Sequence, residues 1–310
     1  MNQIPKTMKG IWLTGHGEFK KMDVRSDIPV PKLTADDVLI RVGAAAVNNT
    51  DINTRTAWYS KGDATSKDAS WTGEAIDFPR VQGIDVCGHI VAVGGNVSKS
   101  RVGERVLVEP CLREVKGKTL SQPWFLGSEC DGGFAEFVSV ASRHAYQVRS
   151  TLSDAELASF PCSYSTAGNM LAKSKVYSDD IVLVTGASGG VGSAAVQLIK
   201  SRGADVIAVT STSKSKDLIA LGAIKTLNRD QSVVEALGVN SVDVVIDLVG
   251  GKSWPALLEI LRPGGRYAVS GAIAGAFVEL DLRTLYLKDL SFFGCTVLES
   301  KVFPNLIDHI

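Results

Sequence analysis

The chain has 310 residues, 45% of them hydrophobic and 21% charged, a composition that builds ordered domains, and more chain than one core usually holds, so two domains are expected. Thirty-three basic side chains balance thirty-three acidic ones, which leaves no net field to attract nucleic acid or an acidic membrane surface. Neither the opening MNQIPKTMKG nor any later segment has the long apolar run that a membrane span requires, so a small-molecule substrate is the expected partner.

In chain order, the first 150 residues read as short β segments. KGIWLTG (9–15), DVLIRVGAAAV (37–47), CGHIVAVG (87–94), ERVLVEP (104–110) and GFAEFVSV (133–140) are rich in β-branched residues and bounded by turn formers, which predicts an irregular, twisted β-barrel. Between Tyr59 and Pro79 the sequence shows neither helical nor strand period. A segment of that kind is a lid or a plain mobile loop, although Trp58, Tyr59 and Trp71 are unusual in a solvated linker. LSDAELASF then opens with Ser153 and carries Glu156 three residues on, a capping box that predicts a helix start.

Beyond residue 151, helices alternate with apolar strands at 181–186, 205–210, 242–250, 265–271 and 291–297. Those before residue 271 are nearly unbroken apolar runs, as expected where helices cover both faces of a parallel sheet. The expected fold class is therefore α/β, with a doubly wound domain after a β-rich one.

The strand IVLVTG runs into Ala187, Ser188, Gly189, Gly190, Val191 and Gly192, then into the helical spacing of SAAVQLIKSRG. Strand, glycine turn and helix in that order form a dinucleotide-binding context, with Ala187 where the first glycine of the fingerprint stands. Gly189 lets a pyrophosphate approach, and Gly192 lets the helix pack close on the strand. A glycine-rich turn with no nucleotide is the competing reading. The second strand ends without the Asp or Glu that binds both ribose hydroxyls of NAD. It offers instead Thr210, Ser211 and Ser213 as hydroxyl donors and Lys214 as a cation, a set suited to the 2′-phosphate of NADPH. The alternative is that Ser213 caps the next helix and the lysine is solvated. Leu248 and Val249, and Gly271, Ala272 and Ile273, follow later strands at the sheet edge where ligands lie.

VLIRVGAAAVNNTD, PRVQGIDVCGHIVAVG, VGERV, GGFAEFVSV, VLVTGASGGVGSAAVQLIK, VDVVIDLVGG and LRPGGRYAVSG together resemble the medium-chain dehydrogenase/reductase superfamily. Within it they resemble the zinc-independent quinone oxidoreductase (zeta-crystallin-like) branch. The resemblance implies a GroES-like β-barrel catalytic domain over residues 1–155, with 299–310 returning to it and ending sooner than in relatives, and a Rossmann doubly wound parallel-sheet NADP-binding domain over 156–298. It also implies a homodimer through the edge strand near Phe292–Val297.

Zinc enzymes of the superfamily carry ligands at positions that here hold Asn48 and Ile84, while Cys162 matches a third. One thiol does not hold zinc, so no metal is expected and Cys162 reads as a small buried residue. His89, in a strand-like run, reads as a packed or hydrogen-bonded imidazole rather than a ligand. Five scattered cysteines without CxxC spacing read as reduced thiols in a reducing cytoplasm.

The resemblance implies hydride delivery from NADPH to quinones or α,β-unsaturated carbonyls. Asn48, Asp51 and Tyr59 are the catalytic candidates. Asn48 would donate to the acceptor's carbonyl oxygen, and Tyr59 would do the same or pass a proton; alternatively, Asn48 and Asp51 shape a turn and Tyr59 is a surface aromatic. Enoyl-thioester reduction, NADPH binding without turnover, and an alcohol dehydrogenase with atypical zinc ligands remain as alternatives.

Overall fold

A computed structural model describes residues 4–61 and 68–310. The chain divides into two units, residues 1–162 with 303–310, and residues 163–302.

The first unit is built of β1 (Thr7–Leu13), β2 (Met22–Pro29), β3 (Asp37–Ala44), β4 (Arg80–Val81), β5 (Cys87–Val93), β6 (Arg105–Val108), β7 (Cys111–Val115), β8 (Lys118–Phe125), β9 (Phe137–Ala141) and β10 (Ala145–Gln147), with the short helices α1 (Asn49–Arg55) and α2 (Asp154–Ala158). A five-stranded sheet has the order β10-β6-β5-β3-β9, and a three-stranded sheet the order β2-β1-β4. The two are joined where Ile11 N donates to Phe134 O at 2.9 Å. Alternate residues of β3, β5, β6 and β9 are buried together: Val38, Ile40, Ile90, Val106, Val108, Val138 and Val140. Leu39, Leu107 and Phe137 beside them are buried too, so these strands are legible by their β-branched content and bounding turn residues rather than by alternation.

β7 and β8 form a separate hairpin turning at Lys116 and Gly117, both at positive φ, the conformation that suits the twist of a two-residue hairpin. The part of β7 next to the turn is fastened by His144, which is buried. The Nε2 of this imidazole accepts from Arg113 N at 3.0 Å and Glu114 N at 3.2 Å, while Nδ1 lies 2.8 Å from Glu109 Oε2. A nitrogen that accepts two amides carries no proton, so the ring is the neutral Nδ1–H tautomer and Nδ1 donates to Glu109.

The second unit comprises α3 (Pro161–Lys173, from its third residue), β11 (Ile181–Val184), α4 (Gly190–Ser201), β12 (Asp205–Thr210), α5 (Ser215–Ala220), β13 (Lys225–Asn228), α6 (Val233–Leu237), β14 (Val242–Asp247), α7 (Trp254–Ile260), β15 (Leu261–Val269), α8 (Leu282–Leu287) and β16 (Ser291–Gly294). All six strands are parallel, in the order β13-β12-β11-β14-β15-β16. Counted within the unit this is 3-2-1-4-5-6, the doubly wound dinucleotide order, whose direction reverses between β11 and β14. One face of the sheet packs on α3 and α4 through Met170, Leu171, Ala194, Ala195 and Ile199, the other on α7 through Trp254, Leu257 and Leu258. The last helix, α9 (Val302–His309), lies almost wholly in the first unit, with Phe303 fully buried against Tyr146.

The α/β class and both domain architectures are as expected from the sequence, but the units divide at 162/163 and 302/303 rather than at 155/156 and 298/299. The cause is α2. Ser153 and Glu156 make the expected capping box, and Asp154 ties the helix start to β6 through Arg105 Nε at 2.7 Å.

Candidate functional site

In the second unit the turn after β11 is shaped by contacts between backbones. Gly186 takes φ +58°, and Gly189 caps α4. A Cβ on Gly192 would lie 2.3 Å from Gly186 O and 2.6 Å from the Ala187 Cα, so only glycine lets α4 approach this closely. A Cβ on Gly189 would meet nothing nearer than 3.5 Å; that position borders open space. The first intrahelical bond is Ser193 N to Gly189 O. The amides of Gly190, Val191 and Gly192 precede it, a helix start of the kind that suits an anion. Ser188, Gly189 and Gly190 are exposed, whereas Ala187 is fully buried beneath the turn.

Two neighbouring strand ends converge here. Gly186 packs on Val249, and a Cβ on Gly271 would lie 2.7 Å from Leu248 O. The turn carrying Leu248 and Val249 is held by Asp247, which has no exposed surface. Its carboxylate accepts from Thr185 Oγ1 at 2.6 Å, Tyr267 Oη at 2.6 Å, Val249 N at 2.9 Å and Gly250 N at 3.2 Å. Thr185 Oγ1 in turn accepts from Leu248 N at 2.9 Å. Asp247 thus links β11, β14 and β15 at the reversal point, a role no local pattern in the sequence signals.

Past β12, Ser211 and Ser213 are hydrogen-bonded to each other at 3.1 Å, and Lys214 is exposed. Thr210 differs from expectation. It is buried, with its hydroxyl turned away from any partner among the described residues, so it packs rather than presenting a donor at the surface. Arg229, which the sequence reading missed, is exposed just after β13, and its N–H donates to Thr210 O at 2.9 Å. Its signal was a basic residue ending a strand that is itself too short and polar to recognise. Gly271 and Ala272 are half-buried, while Ile273 faces solvent.

In the first unit a polar cluster surrounds the start of α1. Asn48 caps the helix in a reciprocal box: its side chain accepts from the Asp51 N–H, and Asp51 Oδ2 accepts from Asn48 N at 2.8 Å. Asn48 Nδ2 also donates to Asp85 Oδ2 at 2.7 Å, and Asp85 Oδ1 accepts from Cys162 N at 2.6 Å. Asp51 is buried and receives a further amide, Ile84 N at 3.3 Å. Burial pushes the Asp51 carboxyl up to about 6 against the pull of its amide donors. It pushes Asp85 up to about 7, opposed by the Asn48 and Cys162 hydrogen bonds and reinforced by the nearby Asp51 charge. Both groups bind a proton more tightly in the folded chain than in the unfolded one. Their contribution therefore favours folding in acid, fully so below about pH 4, and is lost as the pH rises through 6 and then 7. The melting temperature should accordingly fall between pH 5 and pH 8, and this fall should be shallower in Asp85→Asn. An equal slope in the two proteins would contradict the assignment.

Tyr59 Oη donates to Thr50 Oγ1 at 3.0 Å, and Trp71 Nε1 donates to the same oxygen at 3.0 Å. Trp71 stacks on Phe125, with ring centroids 4.3 Å apart, while Glu129 accepts from both Thr72 N and Phe125 N. The described parts of the segment from Tyr59 to Pro79 are therefore packed onto the domain rather than forming a detached lid or a solvated linker; residues 62–67 of that segment lie outside the described residues. Burial pushes the Tyr59 pKa up, so its hydroxyl stays protonated through neutral pH. Two further expectations are corrected: Cys162, whose N–H donates to Asp85, is half-buried rather than buried, and His89 faces solvent from β5 rather than packing inside.

Residues 34–150 match the alcohol dehydrogenase GroES-like domain, and residues 190–310 match the zinc-binding dehydrogenase family. A solved structure described as a candidate alcohol dehydrogenase from Sinorhizobium meliloti 1021 superposes with a TM-score of 0.91 and 41% identity, covering 100% of this chain and 88% of that one. The chain belongs to the medium-chain dehydrogenase/reductase superfamily. Other members of the superfamily similar to it include the quinone oxidoreductase of Rattus norvegicus, 29% identical over 95% of this chain and 82% of that protein. A chloroplastic NADPH-dependent alkenal/one oxidoreductase of Arabidopsis thaliana is 29% identical over 87% of this chain and 64% of that protein.

Medium-chain dehydrogenases and reductases are oxidoreductases that bind a nicotinamide cofactor, and the turn around Gly189 and Gly192 fits one: it has bare amides at a helix start and a position where a Cβ would intrude. The donor set fits zinc poorly. Among the described residues no group of three or more His, Cys, Asp or Glu could hold a metal ion. Both Asp85 oxygens already accept hydrogen bonds, from Asn48 Nδ2 and Cys162 N. No helix among the described residues is long and apolar enough to cross a membrane.

Proposed function

We propose that this chain is a zinc-independent, NADPH-dependent oxidoreductase that delivers hydride to quinones or α,β-unsaturated carbonyls. The observation that supports the reading is the Asn48–Asp85 pair, in which Asn48 Nδ2 donates to Asp85 Oδ2 at 2.7 Å, an amide at a position where the sequence resemblance implies a zinc ligand in zinc-dependent members. An acceptor already activated by conjugation needs only such a hydrogen bond to its carbonyl oxygen.

The nicotinamide supplies the hydride when bound. Of the chain's own groups, the amides of Gly190, Val191 and Gly192 hold the pyrophosphate, and the ends of β14 and β15 border the ribose. Asn48 donates to the acceptor's oxygen as negative charge develops there. Asp51, its carboxylate accepting two backbone amides, fixes the start of α1. Tyr59 orders Thr50 and Trp71 through its retained proton.

NADPH is favoured because β12 ends without a carboxylate and two cations, Lys214 and Arg229, stand at the ends of adjacent strands. Lys214→Ala should raise the KM for NADPH roughly five- to thirtyfold, the equivalent of about 1–2 kcal/mol, and leave that for NADH unchanged. An unchanged KM for NADPH would remove the phosphate assignment.

The deciding assay follows NADPH and NADH absorbance against a panel of quinones, enones, enoyl thioesters and aldehydes. We expect turnover with the first two classes. Nucleotide binding without oxidation across the panel, or stoichiometric zinc with alcohol oxidation, would overturn the reading.

We also propose a homodimer through the outer edge of β16, in a reducing cytoplasm that the five unclustered cysteines suit. β16 ends the sheet with one side unpaired. The residues before it expose apolar side chains, with Phe277 97% and Leu287 71% accessible, an array that a second copy would cover. Light scattering should give twice the chain mass, and Leu287→Asp should halve it; a monomeric wild type would refute the dimer.

A further inference from the structure

The chain leaves β12 at Thr210, and a short 3-10 turn, Thr212–Lys214, begins two residues later. That turn is exposed, yet it is tied to the neighbouring strand. β13 ends on Asn228, which stands opposite Thr210 in the parallel pairing. Asn228 Nδ2 donates to Thr212 Oγ1 at 2.7 Å, and Asn228 Oδ1 accepts from Asp230 N at 2.9 Å. With Arg229 N donating to Thr210 O at 2.9 Å, the two strand ends remain joined beyond their last paired residues.

The chemistry of the partners fixes which way each group points. A carboxamide has an oxygen and a nitrogen of nearly the same size, so its neighbours decide the orientation. The Asp230 N–H can only donate and takes the oxygen, which leaves the Asn228 nitrogen facing Thr212. That nitrogen can only donate in turn, so Thr212 Oγ1 is the acceptor and its own hydrogen points elsewhere. Thr212 is exposed, and among the described residues no group accepts that hydrogen. Beside it, Ser211 and Ser213 share one bond at 3.1 Å, which uses one of their two hydroxyl hydrogens and leaves the other. The exposed Lys214 ammonium follows. Two hydroxyl donors and one cation within four consecutive residues suit a phosphate monoester, whose terminal oxygens accept several charge-assisted hydrogen bonds at once.

We infer that Thr212 is a further ligand of the nucleotide's 2′-phosphate and that Asn228 is the positioning residue that turns its hydroxyl outward. This rests on the reading that the chain uses NADPH. Asn228 acts only through Thr212, so its effect belongs to the nucleotide that carries the phosphate and not to NADH. Its bond spans 16 positions of sequence and starts from a strand too short to recognise there.

The test is calorimetric titration of the full chain with NADPH, NADH and 2′,5′-ADP. Thr212→Val keeps the side chain's shape and removes its hydroxyl. It should raise the Kd for NADPH and 2′,5′-ADP at least about fivefold and leave that for NADH within about twofold. Asn228→Ala should weaken NADPH about threefold or more. The double variant should bind NADPH no more weakly than Thr212→Val, because the positioning residue matters only while the hydroxyl is there. Asn228→Asp keeps the size and the bond from Asp230 N, but its second oxygen takes the Thr212 hydrogen and sets a negative charge beside the phosphate. It should weaken NADPH at least about tenfold, spare NADH and melt near the wild-type temperature. A merely structural role for Asn228 would weaken both nucleotides alike.

Parallel losses for NADPH and NADH in Thr212→Val would overturn the inference, as would native NADPH affinity in both Thr212→Val and Asn228→Ala. So would a double variant whose loss equals the product of the single losses. In each case a weakened NADPH complex in Lys214→Ala would leave the phosphate assignment standing without Thr212 and Asn228. A wild-type chain that binds NADPH no more tightly than NADH would instead overturn the NADPH reading, and this inference with it.

Discussion

Alanine at Gly192 should abolish nicotinamide nucleotide binding and destabilise the chain, whereas alanine at Gly189 should abolish binding alone. The difference lies in what each new methyl meets. At Gly192 it would sit 2.3 Å from Gly186 O and within 2.8 Å of the Ala187 backbone, atoms of a turn that cannot give way without moving β11. Overpacking of that kind costs about 1–3 kcal/mol, and the displaced α4 would no longer aim its first amides at a pyrophosphate. At Gly189 the nearest atom is 3.5 Å away, an ordinary contact, so folding should be unaffected. The methyl then occupies space that the phosphates need. Fluorescence titration with NADPH and thermal melts separate the two variants. Native affinity in Gly189→Ala would mean that the nucleotide does not lie against this turn.

Asp247→Ala should be the most destabilising single change in the second unit, at about 3–5 kcal/mol. The carboxylate has no exposed surface and accepts from two hydroxyls and two amides. Removing it leaves all four donors buried without that acceptor, and each unmet donor costs about 1–3 kcal/mol less whatever relaxation recovers. Tyr267→Phe removes one donor and its partner's bond together, so it should cost only about 1–2 kcal/mol. Because Asp247 holds the Leu248–Val249 turn, Asp247→Ala should also raise the KM for nucleotide. Urea denaturation checks the first effect and initial rates the second; a loss below about 1 kcal/mol for Asp247→Ala would show that the network is not what holds the strand ends.

The architecture was legible where strands are buried and rich in β-branched residues. β11, β12 and β14 are covered on both faces and read as apolar runs, and Ser153 and Glu156 announced α2 through a local capping box. β2, with the largely exposed sequence MDVRSDIP, and β8, with Pro123 near its end, were missed because edge strands facing water keep neither signal. β13 was missed because KTLN is too short to show a period.

The glycine turn after β11 was legible because its demands are local, one glycine answering one close approach. The surroundings of Asn48 were not. Its bond to Asp85 joins distant segments, and from sequence alone Asp85 was only the acidic member of a matched motif. Thr210 was misjudged for a related reason: the last residue of a parallel strand can face the interior as readily as the ligand edge. The aromatic content around Trp71 did hint that the segment after Tyr59 is packed, but the hydroxyl that both Tyr59 and Trp71 seek belongs to Thr50, inside a helix.

The hairpin of β7 and β8 is secured beside its turn, at Arg113 and Glu114, by the imidazole of His144, while Lys116 and Gly117 at the tip are exposed. Strands clamped this close to their apex keep their registration without help from the side chain at the tip. Lys116 is thus a natural attachment point, where a fluorophore would ride on the folded protein without loosening the strand pair.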